Sequence, residues 1–571
     1  MNPIKNEEAS ASVGQARSTG GRALAQALAH RGVDRMFCVP GESYLDVLDA
    51  LYDYPEIEVV VAKHEGGAAD MAQADGKMTG RPGICFVTRG PGASHGCIGL
   101  HIAQQDSTPM IMFIGQVPFG ERGRDGFQEI DYEKMFGSVA KWVCELNDAQ
   151  RIDEVVQRAF HVATTGRPGP VVISLPEDVL AQTCSPNGMA RLPQVRNAPD
   201  ERDVADIVQR LGQARQPVVL LGGTGWDAEG LAAFRIFVEK WNLPVAATFR
   251  HQDMFDNRHP NYVGHLGLGV DASLVDLVKS ADLVLAVGTR LGDIGTGSYT
   301  YLTVPHPTQF LVHVYPENAD LGRVYAPELA IATTPAAWSC AMARCDSSAS
   351  LPWSATTAAA RQSYMQFMAP IPEDPAMNGV NFTTVVKHLS ETLSDDAIVA
   401  NGAGNYAAWV HRFFTYKQAG TCLAPTNGSM GYGLPAAIAA KLRHPGREVV
   451  CFAGDGCFLM YAQELATAAQ YGARFIVIIV NNGMYGTIRM YQENRFPGRQ
   501  VATRLEGPDF VKLAESFGAH AERVDRTEDF DAAFARARAS KRLAVIELRT
   551  DPDQITPAAR LAPAAVAAIK H

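Results

Sequence analysis

The sequence of 571 residues lacks the marks of several protein classes. No apolar run is long enough to span a bilayer, the longest strong one being 475–480, so we expect no membrane partner. Its ten cysteines include no C-x-x-C pair, which argues against a zinc ribbon or a disulfide framework and favours reduced thiols in the cytoplasm. Basic residues number 51 against 61 acidic ones, so we expect no nucleic-acid partner.

The composition that is present is typical of a large globular protein. With 47% hydrophobic and 20% charged residues, the chain is neither disordered nor collagen-like, and its length predicts about three to five domains. Residues 1–21 are rich in Ser, Ala and Gly and hold no hydrophobic segment. They are predicted to form a loose arm rather than a secretory signal.

Two stretches interrupt the pattern of strands and helices. Residues 182–201 hold several prolines and 346–379 are rich in Ser, Ala, Thr and Pro, so both are predicted linkers. They divide the chain into domains at about 1–185, 195–345 and 375–571.

In all three segments, short β-branched runs alternate with Ala/Leu-rich helical stretches. Apolar runs that end in Gly or Asn predict parallel strands buried on both faces. The predicted fold class is therefore α/β, with three doubly wound parallel sheets and ligands at the carboxyl ends of the strands.

The sharpest local motif is Gly454-Asp455-Gly456, which follows the apolar run 449–452. A second apolar run ends in Asn482. In a βαβ unit the two loops leave the same edge of the sheet, so Asp455 and Asn482 can meet. The glycines allow close approach of a diphosphate, and a carboxylate with an amide oxygen suits Mg²⁺. Alone, Gly-Asp-Gly is more often an ordinary turn, but the full spacing favours a metal-diphosphate site.

Gly-Asp-Gly followed by 24 residues and Asn-Asn is the pattern of thiamine-diphosphate enzymes. From about residue 22 to 552 the chain resembles the acetolactate synthase branch of that superfamily. The motifs that support the resemblance are Val39-Pro-Gly-Glu-Ser43, Lys63-His-Glu-Gly-Gly67, Thr88-Arg-Gly-Pro-Gly-Ala93, Gly115-Gln-Val-Pro118, Phe127-Gln-Glu129, Gly166-Arg-Pro-Gly-Pro170 and Gly428-Ser-Met-Gly-Tyr-Gly-Leu-Pro435.

The resemblance implies a pyrimidine-binding domain at 1–185, a central domain at 195–345 and a diphosphate- and Mg²⁺-binding domain at 375–571. It implies that Glu65 bonds the pyrimidine ring and promotes its imino form, and that Met430 lies beneath the bent cofactor. Further cofactor-binding residues implied in this way are Gly41, Gly402, Gly404, Asn405, Tyr406, Ser429, Gly454, Asp455, Gly456, Cys457, Asn482, Met484, Tyr485 and Gly486. The implied metal ligands are Asp455, Asn482 and Met484.

On the substrate side, the resemblance implies catalytic roles for Glu42, His95 and Gln128 beside Glu65. Two departures from acetolactate synthases bear on the substrate. Their lysine in the stretch 175–179 is Glu177 here, and the tryptophan that they carry shortly after Asn-Asn is missing. The stretch 481–486 is closer to benzoylformate decarboxylase-like members, so a non-oxidative 2-oxo acid decarboxylase or a C–C hydrolase or lyase remains an alternative.

Some sequence features also suggest other classes of protein. Residues 397–407 match a strand followed by G-x-G-x-x-A, yet no acid lies between Gly404 and Glu448 to bind a ribose, so the dehydrogenase fingerprint fails. A cofactor-binding relative without catalytic activity stays open. In some relatives FAD lies at loops that correspond to 222–225, 248–250 and 288–290, and we do not favour FAD here.

The sequence thus predicts a thiamine-diphosphate- and Mg²⁺-dependent lyase or carboligase that acts on a 2-oxo acid or an aldehyde. The resemblance implies a homodimer or homotetramer with active sites at subunit interfaces, and the cysteine pattern favours the cytoplasm.

Overall fold

A computed structural model describes residues 18–561, except for 187, 189–191, 193, 194, 196, 348, 349 and 372–376. It contains three six-stranded parallel sheets, each at the centre of one α/β unit. The prediction of three doubly wound parallel sheets is therefore confirmed. Within the described residues, no helix is both long enough and apolar enough to cross a membrane.

The N-terminal unit spans the first fifteen strands and helices. They are β1 (Ser18–Thr19), α1 (Gly20–His30), β2 (Arg35–Cys38), α2 (Leu45–Leu51), β3 (Glu58–Val61), α3 (Glu65–Thr79), β4 (Gly83–Val87), α4 (Gly90–Asp106), β5 (Met110–Gln116), α5 (Tyr132–Phe136), β6 (Trp142–Glu145), α6 (Ile152–Thr164), β7 (Pro170–Pro176), α7 (Glu177–Ala181) and β8 (Thr183–Cys184).

The central unit follows. Its elements are α8 (Glu201–Gln213), β9 (Pro217–Leu221), α9 (Ala228–Trp241), β10 (Val245–Ala247), β11 (Tyr262–His265), α10 (Ala272–Ser280), β12 (Leu283–Val287), β13 (Phe310–Tyr315), β14 (Leu329–Ala332), α11 (Pro335–Met342) and α12 (Ser354–Phe367).

The C-terminal unit completes the described chain. Its elements are α13 (Phe382–Thr392), β15 (Ile398–Asn401), α14 (Ala407–Phe413), β16 (Cys422–Leu423), α15 (Gly433–Arg443), β17 (Val449–Gly454), α16 (Asp455–Leu459), α17 (Glu464–Gln470), β18 (Ile476–Asn481), α18 (Gly486–Arg495), α19 (Phe510–Ser516), β19 (His520–Val524), α20 (Phe530–Ala539), β20 (Ala544–Arg549), β21 (Gln554–Thr556) and β22 (Ala559–Arg560).

Strand order distinguishes the outer units from the central one. The N-terminal sheet runs β3-β2-β4-β5-β7-β6 and the C-terminal sheet runs β16-β15-β17-β18-β20-β19, so both follow the order 2-1-3-4-6-5. The central sheet runs β11-β10-β9-β12-β13-β14, which is the order 3-2-1-4-5-6 of dinucleotide-binding folds. In each case the central strands are buried on both faces, as their unbroken apolar runs predict.

The two outer units pack against each other through helices α3 and α15. Polar bonds reinforce this contact: Arg443 Nε donates to Asp75 Oδ1 at 2.8 Å, and Tyr432 Oη donates to Gln73 Oε1 at 2.6 Å. Helices α3 and α15 therefore hold the N-terminal and C-terminal units together.

Two expectations about irregular regions need revision. Most of the predicted N-terminal arm, residues 1–17, lies outside the described residues, but 18–21 are not loose. Ser18 and Thr19 pair with β8, and Thr19 caps α1 by accepting the Arg22 N–H at 3.3 Å. Small polar residues suggested a loose segment, but they also suit a helix cap and close packing. In the predicted linker 346–379, helix α12 forms and packs on β11.

Candidate active site

Asp455 lies at the carboxyl end of β17, where that strand turns into α16. Its side chain is buried and accepts two main-chain N–H bonds, from Gly456 to Oδ1 and from Gly483 to Oδ2, both at 2.9 Å. The second bond joins the Gly-Asp-Gly loop to the loop after β18, as the spacing predicts. Burial raises the pKa of the Asp455 carboxyl to about 6, so a cation beside it would relieve its desolvation.

The loop after β18 supplies two more oxygen atoms. Asn482 Oδ1 accepts the Met484 N–H at 3.2 Å, and the Met484 carbonyl accepts the Gly486 N–H at 3.0 Å. A buried carboxylate, an amide oxygen and a main-chain carbonyl are hard ligands of the kind that Mg²⁺ takes. Asp455, Asn482 and Met484 therefore fit a divalent cation by the chemistry of their donors.

Next to this loop, residues from three segments form a closely packed wall. The Gly402 N–H donates to Tyr406 Oη at 3.1 Å, and the Gly431 N–H donates to Cys457 Sγ at 3.2 Å. A Cβ at position 402 would lie 2.6 Å from Cys457 Sγ, so only glycine fits there. Predicted cofactor residues 402, 406 and 457 are thus in mutual contact.

Two other predicted glycines are equally confined. A Cβ on Gly456 would lie 2.6 Å from the Tyr485 ring, and one on Gly486 would lie 2.8 Å from the Asn405 amide. Ser429 donates through Oγ to the Met430 carbonyl at 3.2 Å. We call the two loops 401–406 and 424–431, together with Asp455–Leu459 and 482–486, the cofactor cradle. Two predicted residues remain. Gly404 lies within the cradle and has a φ of +152°, and Gly454 immediately precedes Asp455, where its Cβ would lie 3.2 Å from the Tyr406 ring.

At the carboxyl edge of the N-terminal sheet, Glu65 is the first residue of α3. Its Oε2 lies 2.9 Å from His95 Nδ1, and His95 is 52% exposed. His64 precedes the helix and accepts the Gly66 N–H at 3.0 Å, so its role is that of a helix cap. The His64 and His95 rings stack at 4.7 Å, and burial lowers the pKa of His64. Of the two histidines, His95 is thus the one that bonds the predicted catalytic acid.

An ion pair near Glu65 affects the net charge at the carboxyl edge of the N-terminal sheet. Arg89 donates to Glu177, and its Nη1 lies 3.8 Å from Glu42 Oε1. Glu42 is 61% exposed, and Gly41 before it packs against Thr88. Glu177 therefore lies on the same edge as Glu42, with the Arg89 guanidinium between them.

Gln128 and Phe127 lie beside this pair. The Gln128 carbonyl accepts the Gly90 N–H at 3.0 Å, and its Oε1 is buried with no hydrogen-bond partner in the described part of the chain. Gln128 has a φ of +65°, which is uncommon for a residue with a side chain. Phe127 is 73% exposed. Phe127 and the predicted catalytic residue Gln128 thus lie at a partly open surface.

The sequence analysis did not predict the contacts between the N-terminal and C-terminal units next to Glu65. Glu464 of α17 accepts the Lys63 N–H at 3.1 Å, and burial raises the pKa of its carboxyl. The Tyr461 ring lies 5.5 Å from the His64 ring. No local signal marks these residues, because their partners are about 400 positions away in the chain.

In the central unit, the strand-end loops contact one another and their neighbours. Trp226 Nε1 donates to the Gly222 carbonyl at 2.8 Å, and the Thr224 N–H donates to the Gly288 carbonyl at 3.2 Å. Arg290 donates to the Gln105 carbonyl of the N-terminal unit at 2.7 Å. These donors bond to protein atoms at the edge where a nucleotide lies in folds of this strand order.

Comparisons with known proteins agree with this geometry. Three family models match: the N-terminal TPP binding domain of thiamine pyrophosphate enzymes over residues 18–135, the central domain over 204–339, and the C-terminal TPP binding domain over 402–548. Each of the three sheets thus falls largely within one of the matched regions.

Whole-chain relatives point the same way. An acetolactate synthase large subunit of Mycobacterium tuberculosis is 32% identical over 539 residues, covering 91% of this chain and 86% of the relative. That of Corynebacterium glutamicum is 32% identical, covering 91% and 85%, and that of Lactococcus lactis is 31% identical, covering 88% and 87%. The chain belongs to the thiamine pyrophosphate enzymes, as a cofactor-dependent transferase or lyase similar to acetolactate synthase large subunits.

Proposed function

We propose that the protein is a carboligase or lyase that uses thiamine diphosphate and Mg²⁺ to act on a 2-oxo acid. The observation that best supports Mg²⁺ is the bond from Gly483 to Asp455, which brings the two metal-binding loops together. Asp455, Asn482 and Met484 would hold the ion, and the cofactor cradle would hold the diphosphate. When bound, the cofactor would supply a nucleophilic carbon for addition to the substrate carbonyl.

Residues at the carboxyl edge of the N-terminal sheet would transfer protons and orient the substrate. Glu65 would bond the cofactor's pyrimidine, with His95 at 2.9 Å as a proton partner. His95 is exposed enough to exchange that proton with solvent. Glu42 and Gln128 would face the reacting carbonyl.

The Arg89–Glu177 pair supports a neutral acceptor or simple protonation over a second 2-oxo acid. Because Glu177 already binds the Arg89 guanidinium, this cation is neutralised in place. A carboxylate acceptor would then meet Glu42 and Glu177 with one compensating charge between them. The alternative closest to this view is a non-oxidative 2-oxo acid decarboxylase that releases an aldehyde.

The test is product analysis with purified enzyme, thiamine diphosphate and Mg²⁺. Pyruvate is supplied alone, then with a neutral aldehyde, and products are followed by NMR. We expect an aldehyde or a hydroxyketone at a higher rate than acetolactate. Acetolactate formation at about 1–10³ per second would overturn the proposed acceptor preference and assign acetolactate synthase activity. Absence of any cofactor-dependent product would favour the non-catalytic alternative.

We further propose a homodimer or homotetramer in which Glu65 and Asp455 of different chains serve one cofactor. The relatives are named large subunits, which supports an oligomeric enzyme. Exposed Phe127, Ile488 and Tyr491 on the single chain also support burial by a second copy. Mixing the E65Q and D455N variants after dissociation tests the proposal. Shared sites regain activity in hybrid dimers, whereas sites built from one chain do not.

Two coarser proposals accompany these. Domain boundaries near 185–195 and 345–375 are supported by the gaps between the three sheets. A cytoplasmic location is supported by ten free cysteines. FAD is not part of the proposal, and absorbance of the purified protein near 450 nm would reveal it.

A further inference from the structure

Arg250 lies in the loop after β10 of the central unit, yet its side chain reaches the C-terminal unit. Its Nη2 donates to the Gly402 carbonyl at 3.0 Å, and its Nη1 donates to the Pro425 carbonyl. Gly402 begins one loop of the cofactor cradle. Pro425 lies in the other, which continues to Ser429 and Met430. One guanidinium therefore joins the two loops.

The backbone of Arg250 is unusual. Its φ is +62°, in the left-handed region that residues with a side chain rarely adopt. Such conformations persist where the surrounding structure requires them, and they cluster at functional sites. The turn at Arg250 gives the guanidinium its direction across the boundary between the units.

The charge of Arg250 is also unusual, because the residue is 3% exposed. In the described part of the chain, the Arg250 guanidinium donates to main-chain carbonyls rather than to a carboxylate, and its Nε has no hydrogen-bond partner. Burial lowers the pKa of Arg250, while Tyr406, Cys422 and Asp106 oppose that shift electrostatically. A buried cation with no directly bonded acid is costly, so its retention needs a compensating role.

Neighbouring residues hold the same boundary rigid. Asp253 accepts the main-chain N–H bonds of 420–422, at 2.9–3.1 Å. From the N-terminal unit, Asp106 accepts the Thr426 N–H at 2.7 Å, and Lys77 donates to the Ala424 carbonyl at 3.0 Å. The loop 424–427 is thus fixed from both sides, and Arg250 is the residue that extends this anchoring to Gly402.

We infer that Arg250 is a positioning residue, through which the central unit sets the spacing between the two cradle loops that receive thiamine diphosphate. This inference rests on the cradle proposed above. By this inference the central unit contributes to thiamine diphosphate binding even if it binds no nucleotide itself. The buried cation also favours an anionic ligand nearby, which the diphosphate is.

The experiment measures thiamine diphosphate binding to the metal-supplied apoenzyme by isothermal titration calorimetry. R250M removes the charge and both bonds at similar size, whereas R250K keeps the charge. R361M is the matched control, because Arg361 donates to the Asn257 and Tyr262 carbonyls away from the cradle. We expect R250M to weaken binding about 10- to 100-fold, R250K to restore part of the loss, and R361M to stay within about twofold.

Hydrogen exchange of the full-length apoenzyme distinguishes local loosening of the cradle loops from destabilisation of the whole protein. In R250M or, if that variant fails to fold, in R250K, exchange should quicken in peptides covering 401–406 and 424–431. It should remain unchanged in the sheet of the N-terminal unit. Exchange that quickens uniformly over all three units would overturn the inference.

Wild-type affinity in the folded Arg250 variants, or an equal loss in R361M, would also overturn it. D455N in the same titration separates the two proposals. If D455N loses binding while R250M does not, only the role of Arg250 falls. If the wild type itself does not bind thiamine diphosphate, both the proposed cradle and the role of Arg250 are wrong.

Discussion

The N-terminal and C-terminal units share one strand order and build opposite kinds of site. The N-terminal edge holds side chains paired with one another, such as Glu65 with His95 and Arg89 with Glu177, and much of it is exposed. The C-terminal edge holds a buried carboxylate bonded by main-chain N–H groups and enclosed by glycines. One topology can therefore present either adjustable side chains or a fixed main-chain cradle, depending on the residues that follow each strand.

The strongest test of this difference is Asp455→Ala. Removing the buried carboxylate takes away a metal ligand and the acceptor of two main-chain bonds, so cofactor retention should fall more than about 100-fold. Thiamine diphosphate content after gel filtration measures the loss. Asp509→Asn is the control, because it keeps the cap of α19 in the same unit. Retention like that of the wild type would remove Asp455 from the site.

Glu65→Gln should separate binding from activation. The amide keeps the size of the side chain, so cofactor retention should change little, while C2 proton exchange of the bound cofactor slows about 10²- to 10⁴-fold. Exchange is followed by proton NMR in deuterated buffer. The exposed Glu133→Gln serves as the matched control. An unchanged exchange rate would show that the N-terminal edge does not activate the cofactor.

Glu177→Gln frees the Arg89 guanidinium. Two unit charges 4–8 Å apart interact by about 2–4 kcal/mol at an effective dielectric of 20, and exposure reduces this. We expect the ratio of kcat/KM for a charged over a neutral acceptor to rise about 10-fold. Competition between the two acceptors gives that ratio directly. A constant ratio would place the acceptor away from Glu177.

A further expected effect concerns pH and the boundary with the central unit. Burial lowers the pKa of His265 to about 4, and the pKa of His411 is lowered by burial and by Arg250, His265 and Lys77. Both should be neutral when folded, so stability is full above pH 6.5 and falls as the pH drops towards 4. The loss is at most about 1.4 kcal/mol per pH unit for each histidine.

Urea unfolding between pH 7.5 and 5 measures this slope. His411→Gln should reduce it, because the amide cannot take up the proton. His30→Gln is a control at the exposed end of α1. Equal slopes in both variants would show that His411 does not titrate on unfolding.

Much of the C-terminal site could be predicted because its residues follow their strands directly. The apolar runs 449–452 and 475–480 become β17 and β18, and parallel pairing brings their ends together. Strand order was not predictable from periodicity, since crossovers rather than side-chain patterns decide whether a sheet runs 2-1-3-4-6-5 or 3-2-1-4-5-6.

Side-chain direction was the other limit. Arg250 belongs to a loop that the sequence identifies only as a strand end, and its reach into another unit depends on a positive φ. The proximity of Arg89 to Glu177 likewise depends on two loops 88 residues apart. Such contacts follow from tertiary packing, which local patterns do not encode.

The pairing of Ser18–Thr19 with Thr183–Cys184 has a consequence for how this protein can be rebuilt. It places the first and last residues of the N-terminal unit side by side, so the chain from 20 to 182 begins and ends at the same place. A short peptide could join these ends, and new termini could open in a surface loop without stretching the sheet. The unit carrying Glu65 could therefore be circularly permuted while its bonds to the C-terminal unit stay in place.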